Sequence, residues 1–107
     1  MKLAFIAGSV LLLAAGSASA NFDLVNNTSS VINAVYLSDS ETDDWEENMI
    51  EGQVINPGET MEMQVEVKYD KFDLRVESTE GGHEDYFEFP GNVSTIQLNG
   101  AGKSQYK

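Results

Sequence analysis

From Phe22 onward, apolar and polar side chains alternate with a period of two in several separate stretches, the signature of strands that bury one face. The clearest run is 61–67, where Met61, Met63, Val65 and Val67 alternate with Glu62, Gln64 and Glu66. Phe72, Leu74 and Val76 alternate in the same way with Asp73, Arg75 and Glu77. The turn at 68–71 between these two runs predicts a hairpin. Phe22 and Leu24 flank Asp23 in a first strand over 21–25. Residues 31–37 are apolar on both sides, with Ile32, Ala34 and Tyr36 on one and Val31, Val35 and Leu37 on the other. Such a strand is expected to be central or covered on both faces. A strand over 84–89 sets Tyr86 on the face opposite Phe87 and Phe89, and a last strand over 93–98 buries Ile96 and Leu98. Residues 100–107 have no periodic apolar face and predict a flexible tail.

Turn formers separate these runs. Asn56-Pro57-Gly58-Glu59 fits a type II turn, with Gly58 where positive φ is needed. Asn26-Asn27-Thr28-Ser29-Ser30 and Pro90-Gly91-Asn92 punctuate the chain in the same way. Residues 38–48 differ, because Trp45 sits there among Asp39, Glu41, Asp43, Asp44, Glu46 and Glu47. Ser40 or Thr42 as a cap, with Asp43 and Asp44 near the positive end, predicts a short helical turn within this loop. The fold class expected is all-β: a small antiparallel β-sandwich or partly open barrel of six to seven strands, with that helical turn in the acidic loop.

Residues 1–20 follow another pattern. Met1-Lys2 is a short positive start, 3–15 are apolar apart from Gly8 and Ser9, and Ala18-Ser19-Ala20 is a small-residue cleavage site. That order is a secretory signal peptide. It predicts cleavage near Ala20-Asn21, a single β domain over 21–99, and a periplasmic or secreted location. The apolar run is shorter than the roughly twenty residues a membrane helix needs, so no membrane insertion is expected. The chain has no cysteine. Export permits disulfides, yet this domain must be held by its core, a bound ion or a partner.

Charge narrows the partners. Six Lys and Arg stand against 18 Asp and Glu, for a formal net charge of −12, which becomes −13 once Lys2 leaves with the signal. Nucleic acid is excluded, since its phosphates would be repelled. A basic protein surface or a cation remains compatible.

The acidic loop is the candidate site: Asp39, Glu41, Asp43, Asp44, Trp45 and Glu47. Hard cations such as calcium take six to eight oxygen ligands, and Asp39, Glu41 and Asp43 are the residues that would supply them. An EF-hand is excluded, because its sixth and twelfth positions hold Asp44 and Ile50 in place of Gly and Glu. Trp45 reads either as a cap on a small core or as an exposed binding platform. The lone His83, after Gly81-Gly82, reads as a turn residue. With no cysteine beside it zinc is not expected, and no nucleophile pattern accompanies it. Carboxylate pairs need a cleft of set separation to hydrolyse glycosides, which a chain this small has little room to build. An enzyme is not expected.

Phe22-x-Leu24-Val25-Asn26-x-Thr28, then Val35-Tyr36-x-Ser38, Asp43-Asp44-Trp45, Pro57-Gly58-Glu59 and Phe72-Asp73-Leu74-Arg75-Val76 resemble a family of small exported bacterial β domains of uncharacterised function. The resemblance implies a bacterial source. It also implies a pair of cysteines, one just before 72–76 and one near Asn92, where this chain holds Lys71 and Gly91-Asn92. Two functions are expected to compete. One is a non-enzymatic interaction domain meeting a basic protein surface or offering a strand edge. The other is a calcium- or small-ligand-binding module centred on 39–47, with no further cofactor.

Overall fold

The computed structural model describes residues 20–42, 44–65 and 69–107. These residues form the strands β1 (Ala20–Asn26), β2 (Ile32–Asp39), β3 (Thr60–Val65), β4 (Lys71–Ser78), β5 (His83–Pro90), β6 (Thr95–Gly100) and β7 (Lys103–Tyr106). They make two sheets, in the order β3-β1-β6-β7 and β2-β4-β5. The central pair β1 and β6 runs parallel, and every other pairing is antiparallel. The alternating apolar positions meet between the sheets: Phe22, Leu24, Met63, Val65, Ile96 and Leu98 from the first, and Val35, Leu37, Phe72, Leu74 and Val76 from the second, are all buried. Phe22, Phe72, Phe89 and Tyr106 form an aromatic chain that passes from the first sheet to the second and back, with ring centroids 5.4, 5.8 and 5.8 Å apart in turn.

The all-β class and the two-sheet architecture stand, but the helical turn does not. No helix occurs among the described residues. The physical reason lies in where the loop's N–H groups go. The backbone N–H of Glu46 donates to Leu37 O at 2.9 Å and that of Met49 to Val35 O at 2.8 Å. Asp39 Oδ1 accepts from Glu41 N–H, and Thr42 Oγ1 from Asp44 N–H. Short polar side chains and a neighbouring strand take the donors that a helix would need for itself.

Other expectations change as well. The runs at 61–67 and 72–76 do not form a hairpin, since β3 pairs with β1 while β4 lies between β2 and β5. Glu66, Val67 and Lys68 lie outside the described residues, as do residues 1–19 of the expected signal. The segment expected to be a loose tail contains β7, paired with β6 and ending where Lys107 O accepts from Ser94 and Thr95 N–H. The double-faced run at β2 is an edge of its own ladder, yet residues on both its faces are buried. Its free edge is sealed by residues 46–55, through the Glu46 and Met49 bonds and reciprocal Ile32–Ile55 backbone bonds of 3.0 and 2.8 Å.

Candidate functional site

Cross-strand register builds the site on the outer face of the β2-β4-β5 sheet. Tyr36, Arg75 and Asp85 form one row across it, and Ala34, Glu77 and His83 the next. The Arg75 guanidinium donates twice to Asp85, from Nε at 2.8 Å and from Nη2 at 3.0 Å. Its Cζ lies 4.6 Å from the centre of the Trp45 ring, a cation–π stack. Trp45 is half-buried on this face. The hydrogen bonds from Arg75 hold the Asp85 carboxyl below the usual carboxylate range. The pair is therefore intact above that range and is lost as pH falls through the depressed value.

A β-bulge lies beside this row. Phe72 faces Phe89 and Leu74 faces Tyr86, so Phe87 and Glu88 together oppose Asp73. Glu88 has φ 63°, a region that costs a non-glycine residue on the order of 1 kcal/mol. Asp73 holds the bulge in place. It is buried, and its Oδ1 accepts from Glu88 N–H at 2.9 Å and from the Ser40 hydroxyl at 2.7 Å. The extra residue lets both Tyr86 and Phe89 face the core, while Phe87 stands 64% exposed. The expectation that Phe89 lies opposite Tyr86 is thereby corrected: the bulge breaks the alternation between them.

The acidic-loop candidates follow one another from the last residue of β2 along the loop after it. Asp39 and Glu41 meet through an Asx turn, and Glu41, Asp44 and Glu47 are exposed. Glu46 accepts from the Tyr69 hydroxyl at 2.8 Å. Asp43 lies outside the described residues. Among the described residues, no three His, Asp or Glu side chains are grouped to hold a metal ion.

Burial, helped by the bond to Glu46, pushes the Tyr69 hydroxyl from 10.0 up to about 12. Between those values the folded chain keeps a proton that the unfolded chain loses. Its contribution to stability is therefore full below the ordinary tyrosine value and is lost as pH rises to about 12. Tyrosinate absorbance should show a late-titrating group that disappears in Tyr69→Phe and titrates earlier in Glu46→Gln.

At the other end of the sheets, a cleft of about 500 Å³ is lined by Thr28, Ser30, Ser78, His83, Glu84 and Asn99, among others. Glu84 is already engaged there, accepting from the Tyr86 hydroxyl at 2.7 Å and from Ala101 N–H at 2.9 Å. His83 is exposed at its rim.

Sequence reasoning singled out Trp45 but missed Arg75, Asp85, Asp73 and Phe87. One signal was available for the bulge. With a period of two, Phe87 and Phe89 share one face and Tyr86 takes the other, so Tyr86 and Phe89 both reach the core only if the strand carries an extra residue.

No protein-family model matches the chain, and no curated protein matches it in sequence. Among solved structures it is similar to a protein from Eubacterium rectale determined by NMR, at 10% identity and a TM-score of 0.52, over 83% of this chain and 86% of that one. At that identity the likeness shows the fold alone. Among the described residues, no helix is long and apolar enough to cross a membrane.

Proposed function

We propose that the chain is an exported, non-enzymatic interaction domain that docks a basic protein partner on the outer face of the β2-β4-β5 sheet. The observation that carries this reading is Phe87, 64% exposed at a bulge that the buried Asp73 holds in place. The neighbouring strand carries Arg75 on the same face, stacked on Trp45. Aromatic and arginine side chains dominate binding energy at protein interfaces. The exposed Glu41, Asp44 and Glu47, in the loop that carries Trp45, add negative charge, which speeds encounter with a basic surface and makes binding salt-sensitive. Export rests on the pattern of residues 1–20, and the resemblance to small exported bacterial β domains supports it.

Affinity capture from the bacterial envelope and medium tests docking, with Trp45→Ala/Phe87→Ser set against Gln97→Ala/Gln105→Ala on the other sheet. A protein lost only with the first pair, and released by added salt, supports the reading. Captured proteins that all survive Trp45→Ala/Phe87→Ser would overturn it. Expression in an exporting bacterial host should yield a product beginning at Asn21. A product that keeps residues 1–20 would refute export.

A further inference from the structure

The two sheets have four edges, and they differ sharply. The β2 edge is sealed by residues 46–55. The β5 edge carries the bulge at Glu88 and ends on Pro90. The β7 edge is only four residues long. Among the described residues, the β3 edge has none of these features. Asp23 N–H turns away from β3 to Ser94 O, whereas Asn26 N–H turns towards it to Glu59 O. With Asp23 opposite Glu62 and Leu24 opposite Met61, this alternation directs the backbone groups of Met61, Met63 and Val65 to β1. Those of Thr60, Glu62 and Gln64 point to the open edge, and all three residues are exposed.

Charge says what fits there. Asp23 and Glu62 are exposed and directly opposite each other on the outer face, a like-charge pair that destabilises a sheet. A second copy of the chain, itself at −12, would bring more negative charge to an edge that already carries this pair. An added strand with lysine or arginine opposite Glu62 would instead complete the row with the opposite sign.

We propose that the open edge of β3 takes an extended, lysine- or arginine-bearing segment of a partner protein as an added β-strand. This mode draws affinity from main-chain hydrogen bonds and specificity from alternate side chains. It uses a different surface from Trp45 and Phe87, so either proposal can fail alone.

The probe is a synthetic decapeptide alternating lysine with valine and threonine, titrated into the mature chain and followed by NMR amide exchange. Slowed exchange at Thr60, Glu62 and Gln64 is expected. Glu62→Pro should weaken binding at least tenfold, since its N–H faces the edge and not β1. If Glu62→Pro does not fold, the same loss is read from a decapeptide N-methylated at alternate residues. A decapeptide with glutamate for lysine should not bind the native chain but should bind Glu62→Lys. Trp45→Ala/Phe87→Ser should leave all of this unchanged. Absence of binding, unslowed exchange at these amides, or equally tight binding of the N-methylated decapeptide would overturn the proposal.

Discussion

Asn26→Asp is expected to destabilise the domain by about 3–5 kcal/mol, although it changes no side-chain volume. Asn26 is fully buried. Its amide nitrogen donates to Ser30 O and to Ile55 O, both at 2.8 Å. Its Oδ1 accepts from Thr28 N–H at 3.0 Å and from the Thr28 hydroxyl at 2.6 Å. One side chain thus ties the end of β1 to the following turn and to the segment that seals β2. A carboxylate in its place loses both donors and sets a negatively charged oxygen against the two carbonyls that the amide served. A stability of ~5–15 kcal/mol is usual for a domain, so the loss is a large share of the whole. Thermal melts should fall by roughly 12 °C or more at neutral pH. The sign of the pH dependence is the sharper check. Burial raises the introduced carboxyl's pKa, so the variant should recover as pH falls and its hydroxyl form regains one donor. The native chain has no such recovery at this site. A variant as stable as the native chain at neutral pH would show that the two bonds from Asn26 contribute little.

Asn26 also marks where the sequence stopped being readable. Its neighbours in 26–30 announce a turn, but nothing local says that the side chain will reach Ile55 O, 29 residues away. The faces of the strands were legible, because a period of two follows from backbone geometry alone. Phe22, Leu24, Met63, Leu74 and Ile96 are buried as the alternation requires. Partners were not legible, because the same alternation suits any neighbour whose apolar face points the same way. Hence the expected hairpin between 61–67 and 72–76 became two strands in different sheets, and the parallel pairing of β1 with β6 went unforeseen. The acidic loop drew attention through its charge. Charge density does not say whether the backbone N–H groups turn inward as a helix or reach out to β2, and here they reach out. Trp45 was conspicuous by type. Arg75 and Asp85 looked like ordinary outward strand residues, and only register placed them together beneath the ring.

Gly91→Ala is expected to cost about 2–4 kcal/mol, more than alanine at the glycine whose turn the sequence announces. Gly58 has φ 86° with open space around it, so alanine there meets only backbone strain of about 1–2 kcal/mol. Gly91 is the reverse case, with no positive φ and no space. A Cβ on it would overlap the Tyr69 carbonyl oxygen and stand 2.9 Å from the Tyr69 carbonyl carbon and 3.3 Å from Asp70 O. Those atoms are backbone and cannot swing aside as the end of a side chain would. The contact is also fixed from the other side, since Gly91 N–H donates to Asp70 O at 2.8 Å. Relief therefore requires the chain at 69–70 to move away from the β5–β6 turn, which disturbs the Tyr69–Glu46 bond. Two measurements read this together. The melting temperature of Gly91→Ala should drop below that of Gly58→Ala, and the Tyr69 hydroxyl should titrate closer to 10.0 than to about 12. A Gly91→Ala chain that melts with Gly58→Ala and keeps its late-titrating tyrosine would mean that the two segments do not touch in solution.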